Sequence, residues 1–71
     1  MKRIIVDSSA IVSVSYDAAK KALDLKYTSG KVYRYYKVPV EEYERFMEAP
    51  SLGTYLNKHF KPEGYKYRRI R

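Results

Sequence analysis

Two segments in the first half of the chain alternate between apolar and polar residues, and a third predicted strand follows them after a Ser29-Gly30 turn signal. In residues 10–16 the valines and Tyr16 point one way and the serines between them point the other. Residues 22–28 alternate in the same way, and residues 31–38 form the third segment. A period of two is typical of a strand that buries one face. The sequence therefore predicts an antiparallel three-stranded β-meander.

The turn before the third predicted strand decides which residues face each other. A two-residue turn ending at Gly30 would place Arg34 opposite Leu25, which puts a cation on the apolar face. A three-residue loop over residues 28–30, with Gly30 left-handed, places Arg34 opposite Asp24 instead. The same loop pairs Leu25 with Tyr33 and Leu23 with Tyr35. We therefore expect this loop, a positive φ at Gly30 and an opposite-charge pair across the strands.

The second half of the chain predicts two short helices. Pro39 ends the third strand and introduces a helix over residues 40–49, which Pro50 stops. Ser51 is the expected N-cap of a second helix that runs through Phe60. The residues expected to face inward are Val40, Tyr43, Phe46 and Met47 in the first helix, and Leu52, Tyr55, Leu56 and Phe60 in the second.

The end of the chain leaves the fold prediction open at one point. After a break over residues 61–64, residues 65–70 predict either a short C-terminal fourth strand or an ordered tail. The expected fold class is α+β, with the meander followed by the two helices.

Length and composition limit the kind of protein. A chain of 71 residues predicts one domain spanning residues 1–71, with a thin core. The absence of Cys and the single His argue against disulfides and metal sites. No apolar run approaches the about 20 residues that span a bilayer. The basic start of the chain is followed by a short apolar run, which ends at Asp7 and is far shorter than the core of a signal peptide. We therefore expect a cytoplasmic protein with no membrane segment and no cofactor.

Positive charge is concentrated at the end of the chain. The net charge is +7, and residues 58–71 contain six Lys and Arg against one Glu, a local excess of five. Such a segment attracts phosphate backbones or anionic surfaces, although a basic tail also keeps a small protein soluble. The acids gather instead at Glu41, Glu42, Glu44 and Glu48, which predicts a solvated helix face or a surface for a basic partner rather than a metal site.

Nine tyrosines and no tryptophan make up most of the aromatic content. Tyrosine fills a thin core while its hydroxyl stays at the water boundary, so most of these residues need no functional explanation. Tyr33 and Tyr35 share one strand face, where they are either core residues paired with Leu25 and Leu23 or rings that stack on unpaired bases. The favoured register supports the core role and moves the expected binding surface to the opposite face.

The candidate binding residues form two groups. On the opposite strand face, Lys26, Arg34 and Tyr36 are expected to contact a nucleic acid. At the end of the second helix and in the tail, the candidates are Asn57, Lys58, Tyr67, Arg68 and Arg69. Asn57 and Lys58 have structural explanations as well, because amides and cations both stabilise helix ends.

Catalytic arrangements find little support in the sequence. Asp7, Ser8, Ser9 and His59 supply the residue types of a hydrolytic triad, but no nucleophile-elbow glycines surround the serines. Gly53 lies at a possible phosphate-binding helix start, yet the loop contains no lysine. We therefore do not expect an enzyme.

The ordered series of motifs resembles the KTSC domain. These motifs are Ser8-Ser9-x-Ile11, Tyr16-Asp17, Ser29-Gly30-x-Val32-Tyr33-x-Tyr35, Val38-Pro39, Ala49-Pro50-Ser51-x-Gly53-x-Tyr55-x-Asn57-Lys58 and Tyr65-x-Tyr67-Arg68-Arg69. The resemblance covers nearly the whole chain and departs at Leu52, where a basic or polar residue is expected. It implies a domain found at the C-terminus of some lysyl-tRNA synthetases and alone in bacterial and phage proteins, with RNA binding as its suggested role.

The composition and the resemblance together favour an RNA-binding module that uses a positively charged face and tyrosine contacts. The alternatives are a protein–protein interaction module, since Tyr and Arg are also enriched at protein interfaces, and a subunit of a small homo-oligomer. A continuous positive face joining Arg34, Lys58 and Arg68 would favour nucleic acid, whereas an exposed Tyr and Leu surface would favour a protein partner.

Overall fold

Five antiparallel strands form one sheet in the computed structural model, which describes residues 2–6 and 8–71. The strands lie side by side in chain order as β1 (Lys2–Ile5), β2 (Ile11–Asp17), β3 (Ala22–Tyr27), β4 (Val32–Tyr35) and β5 (Tyr67–Arg69). Between β4 and β5 the chain forms α1 (Val40–Glu48), α2 (Leu52–Tyr55), a π-helical turn (Leu56–Phe60) and a 3₁₀ turn (Lys61–Glu63).

The predicted three-stranded meander is wrong, because β1 and β5 extend the sheet at its two edges. Alternation cannot reveal β1, since Ile4 and Ile5 continue into Val6 as one apolar run. β1 nevertheless pairs with β2, where Ile4 faces Val14. β5 lies within residues 65–70 and pairs with β4. The α+β class stands, with a larger sheet than expected.

The predicted β3–β4 register is confirmed. Asp24 lies opposite Arg34, Leu25 opposite Tyr33 and Leu23 opposite Tyr35. In the loop, the main-chain N–H of Gly30 donates to the carbonyl oxygen of Tyr27 at 2.9 Å, and the φ of Gly30 is +93°. The three-residue loop therefore sets which side chains reach each face of the sheet.

A bulge in β2 corrects one inward prediction. The register against β3 shifts between Ile11 and Ser13, which leaves Val12 without a partner there and half-buried. Ile11 is fully buried in its place, next to Val14. A bulge adds one residue to the strand, so simple alternation fails on its N-terminal side.

The helices cover one face of the sheet. The buried core consists of Ile11, Val14, Leu23, Leu25, Tyr35, Val38, Phe46, Leu56 and Phe60, with Tyr43, Met47, Leu52 and Tyr55 packed at its margin. Val40 was expected to face inward but is 43% exposed. The buried face of α1 is centred on Phe46, and six residues at about 100° each place Val40 about 120° away around the helix axis.

Two long-range contacts of Tyr16 and one helix cap hold the helical segment in place. The Tyr16 ring stacks on Tyr43 of α1 at a centroid separation of 4.4 Å and an interplanar angle of 8°. The Tyr16 hydroxyl donates to the carbonyl oxygen of Val38 at 2.6 Å. The predicted cap is also present, because the Ser51 hydroxyl accepts from the Thr54 N–H at 3.3 Å.

Within the described ranges, no helix is long and apolar enough to span a membrane.

Replacing Gly30 with Val should lower the free energy of unfolding by about 1 kcal/mol or more, because a β-branched residue resists a positive φ. A Cβ at Gly30 would meet no atom within 4 Å, so the cost comes from the backbone alone. Gly30→Asn is the matched control and should cost less, since Asn tolerates this conformation. Equal urea midpoints for all three proteins would contradict the assignment.

Replacing Tyr16 with Phe should lower the free energy of unfolding by about 1 kcal/mol, because the buried Val38 carbonyl loses its side-chain donor. The stack on Tyr43 needs only the ring and should persist. Urea denaturation of the wild type, Tyr16→Phe and Tyr16→Leu measures both contributions, and Tyr16→Leu should be the least stable. A Tyr16→Phe variant as stable as the wild type would refute the hydrogen bond.

Candidate nucleic-acid interface

The sheet face turned away from the helices carries the alternate residues of each strand, and we call it the open face. Its central row runs across three strands, where Asp24 of β3 lies opposite Arg34 of β4, which lies opposite Arg68 of β5. A second row pairs Lys26 with Val32. Three of the predicted cations thus share one surface.

Asp24 holds Arg34 in a two-pronged ion pair. Arg34 Nε donates to Asp24 Oδ1 at 2.8 Å, and Arg34 Nη2 donates to Asp24 Oδ2 at 2.9 Å. These hydrogen bonds and the carboxylate charge raise the pKa of the Arg34 guanidinium above its usual range. The pair is close to neutral as a whole, so Arg34 orders the surface more than it adds positive charge to it.

A depression of about 430 Å³ occupies the open face beside this pair. Its lining consists of Ser13, Ser15, Asp24, Lys26, Gly30, Val32, Arg34, Ile70 and Arg71. Three cations against one carboxylate make the depression positive, and the half-buried Ser15 adds a hydroxyl, a hydrogen-bonding group suited to phosphate oxygens.

Tyr36 extends the open face past the end of β4. It follows Tyr35 directly, so alternation places its side chain on the side of Arg34. Its N–H donates to the carbonyl oxygen of Lys66 at 2.8 Å, which continues the pairing of β4 with the chain before β5. Tyr36 is half-buried and keeps part of its ring accessible.

The other face of the sheet carries a second concave surface, the tyrosine groove, which lies between β3–β5 and the turn after the helices. It has a volume of about 960 Å³. The groove is lined by Ser9, Ala10, Tyr27, Thr28, Ser29, Tyr33, Tyr35, Phe60, Lys61, Gly64, Tyr65 and Tyr67. This volume lies within the range of about 300–1,000 Å³ typical of small-molecule sites.

A continuous series of aromatic rings builds the groove wall. Tyr33 meets Tyr27 edge to face at a centroid distance of 5.5 Å and meets Tyr67 in the same way at 5.9 Å. Tyr67 lies 5.3 Å from Tyr35, which packs against the core residue Phe60 at 4.9 Å. The two roles weighed for Tyr33 and Tyr35 therefore separate: Tyr35 is 5% exposed and belongs to the core, whereas Tyr33 is half-buried at the groove.

Burial affects the tyrosine hydroxyls at the floor of the groove. Tyr27 and Tyr35 place their hydroxyl oxygens 3.4 Å apart. Desolvation raises the pKa of Tyr27 well above its ordinary value, and the hydrogen bond with Tyr35 adds to this rise. Desolvation also raises the pKa of Tyr35. Both hydroxyls therefore stay protonated further into the alkaline range than that of an exposed tyrosine.

The remaining predicted residues lie elsewhere. Asn57 and Lys58 are exposed on the π-helical turn, whose Leu56 and Phe60 face the core, so they belong to the helical layer. Lys58 consequently does not share a face with Arg34 and Arg68. Arg69 lies opposite Tyr33 on the groove side, and its Nε donates to the carbonyl oxygen of Arg71 at 2.9 Å.

Glu42 departs from the expectation of a solvated acidic face. It is 3% exposed, and its Oε2 accepts from Arg45 Nη2 at 2.9 Å and from the Tyr55 hydroxyl at 3.1 Å. Its Oε1 is buried with no hydrogen-bond partner among the described atoms. The Glu42 carboxylate therefore fixes α1 against α2. The pattern of charges along the sequence does not reveal this contact.

Two of the residues considered for a hydrolytic triad make structural contacts in the described part of the chain. The Ser8 hydroxyl accepts from the main-chain N–H groups of Ala10 and Ile11 at 3.3 and 3.4 Å, as a turn residue does. His59 lies in the helical layer, where its ring contacts Tyr55 at 5.1 Å. Asp7 lies outside the described residues. Residues 2–6 and 8–71 contain no cluster of three His, Cys, Asp or Glu that could hold a metal ion.

The tyrosine groove is the feature that sequence reasoning misses. Its rings come from β3, β4, β5 and the turn after the helices, so alternation within one strand does not bring them together. The one indication in the sequence is the spacing Tyr65-x-Tyr67 after Gly64, which places one ring before β5 and one at its first residue.

Comparison with known proteins places this fold in a family. The family model of the KTSC domain matches residues 7–67. A crystal structure of a KTSC domain protein from Yersinia pestis superposes with a TM-score of 0.91 at 30% identity and covers 99% of this chain and 97% of that one.

Sequence relatives include both short and long proteins. A protein from Stutzerimonas stutzeri is 43% identical over 70 residues and covers 99% of each chain. A lysine–tRNA ligase from a Nostoc species is 34% identical over 64 residues, which are 90% of this chain and 11% of the ligase. The chain therefore corresponds to about a tenth of that ligase.

Alkaline pH should destabilise the fold through Tyr27. Because the pKa of Tyr27 is raised in the folded state, its protonated hydroxyl stabilises the fold fully at pH values below 10.0, the ordinary pKa of tyrosine. This stabilisation is lost as the pH rises from 10.0 toward the pKa of Tyr27 in the folded state. Tyr27→Phe should therefore lose less stability than the wild type between pH 8 and pH 11, by urea denaturation. Ser29→Ala removes a hydroxyl that does not ionise and should keep the full loss. Equal losses in wild type and Tyr27→Phe would contradict the buried hydroxyl.

Proposed function

Because this chain belongs to the KTSC domain family, relatives of which form a segment of lysine–tRNA ligases, we propose that it is a small cytoplasmic RNA-binding module and not an enzyme. The observation that carries the proposal is the open face, where β-sheet register sets cations from three consecutive strands on one surface.

Phosphate contacts supply most of the affinity. Lys26 and Arg68 present positive charge on the open face, and Arg71 adds a third cation at the depression. Single-stranded and double-stranded nucleic acids both bind such surfaces through released counterions, without reading sequence. The ion pair with Asp24 fixes the direction of the Arg34 guanidinium. One edge of the guanidinium is therefore held beside the path of the RNA backbone.

Tyrosine contacts add a second component to the affinity. Tyr36 lies beside the cations with part of its ring accessible, and an aromatic ring offers a stacking surface to any base. Stacking on one ring contributes about 1–3 kcal/mol and releases few counterions. A salt titration therefore distinguishes the contribution of charge to the affinity from the contribution of stacking.

Binding of a labelled single-stranded RNA should weaken steeply between about 50 and 200 mM salt. Three to five phosphate contacts would give a log–log slope of about −2 to −3.5, at about −0.7 per contact. Arg68→Ala should weaken binding at low salt and flatten the slope by about 0.7. Tyr36→Ala should lower affinity with little change in slope.

Lys20→Ala is the matched control, because it removes one exposed charge in the β2–β3 turn and away from the depression. It should leave the slope close to that of the wild type. Asp24→Asn tests the ion pair separately, since it releases Arg34 and should strengthen binding at low salt. No binding at low salt, or a slope near zero, would refute the proposal and favour a protein partner for this surface.

A further inference from the structure

We infer that the tyrosine groove is a binding site for one unpaired nucleobase, so that the RNA bound by this domain is single-stranded where it passes β5. The inference rests on the proposed function for the nature of the polymer. It adds a second contact, on the sheet face opposite the cations, and it makes the domain selective for a strand with an extruded base.

The lining of the groove selects a flat, uncharged ring. Four tyrosines with accessible surface line it above the buried rings of Tyr35 and Phe60: Tyr27, Tyr33, Tyr65 and Tyr67. Ser9, Thr28 and Ser29 add hydroxyl groups to the lining. Bases bound by proteins are held in this way, between aromatic rings and polar groups that meet the base edges. An aliphatic ligand would leave those hydroxyls without a role.

Charge separates a nucleotide from an organic cation as the occupant. None of the twelve described residues that line the groove is acidic, and Lys61 is a cation. Aromatic rings attract organic cations as well, but a site for them needs no lysine and gains from a carboxylate. The phosphate of a bound nucleotide would instead contact Lys61, which also lines the groove.

Tyr67 is the ring that the fold leaves available. It is 63% exposed, although its ring meets Tyr33 at an interplanar angle of 70° and Tyr35 at one of 37°. The rings below it are progressively more buried, down to Tyr35 in the core. Preformed neighbours hold Tyr67 in place before any ligand binds, which lowers the entropy lost on stacking.

β5 joins the groove to the cationic surface. Successive residues of a strand point to opposite faces at a rise of about 3.3 Å, so Arg68 faces the open side while Tyr67 and Arg69 face the groove side. When an RNA strand crosses this edge, its phosphates contact the cations and one of its bases contacts the Tyr67 ring. A base inside a duplex is paired and stacked on its neighbours, so it would have to be extruded first.

Two pairs of ligands test the site. Adenosine 5′-monophosphate and ribose 5-phosphate share the sugar and phosphate, and ribose 5-phosphate carries a hydroxyl in place of the base. Tyrosine ring signals in NMR spectra should shift with the nucleotide, foremost those of Tyr67 and Tyr33, and should stay in place with the sugar phosphate. Single-stranded RNA should bind more tightly than a strand of the same length made of abasic sites, and more tightly than a duplex.

Variants at Tyr67 test the role of the ring. Tyr67→Ala should weaken binding of single-stranded RNA by about 5- to 150-fold, the range of one base–aromatic stack, and leave binding of the abasic strand unchanged. Tyr67→Phe keeps the ring and should bind nearly as the wild type. Circular dichroism and urea midpoints confirm that each variant folds.

The outcomes separate this inference from the proposed function. If single-stranded, abasic and duplex RNA bind equally and only Arg68→Ala weakens them, RNA binding stands and the base site is refuted. If no RNA binds but adenosine 5′-monophosphate shifts the Tyr67 signals, the proposed function is refuted and the groove is a nucleotide site. If neither RNA nor nucleotide binds, both are refuted.

Discussion

The register of the β3–β4 hairpin is the constraint on which both candidate surfaces depend. Gly30 closes a three-residue loop, and that loop places Asp24 opposite Arg34 and Leu25 opposite Tyr33. A slip of one residue would move every side chain of β4 to the other face. The cations would then be directed at the core and the tyrosines at solvent, so the Asp24–Arg34 pair and the groove are two results of one turn.

Tyrosine resolves a conflict between stability and binding in so small a domain. A thin core needs large apolar side chains, but every residue near the core is also near the surface. The series of rings from Phe60 through Tyr35 to Tyr67 runs from full burial to open solvent. The same contacts that stabilise the sheet against the helices therefore hold the outermost ring in a fixed position.

Local patterns predict those features whose cause lies within a few residues. The hairpin register, the Ser51 cap and the burial of Phe46 follow from turn geometry, capping and helical spacing, and the structure confirms each of them. β1 ends in the apolar run of residues 4–6 without alternation, and Val12 is displaced by a bulge, so no local rule reveals either.

The candidate site divides in the same way. Lys26, Arg34 and Arg68 share a face because strand alternation is a local property. Lys58 leaves that face because the helical layer packs on the other side of the sheet, and the groove exists only through contacts between distant segments. Predicting either one requires the tertiary arrangement.

The short edge strand β5 has a consequence for how copies of this chain behave toward each other. An edge strand presents unpaired main-chain groups on which a strand from another molecule can add, and exposed apolar side chains such as Tyr67 favour that addition. Arg68 and Arg69 place adjacent like charges on opposite faces of this three-residue strand. Two such edges repel each other on both faces, so the arginines also protect the protein from edge-to-edge aggregation.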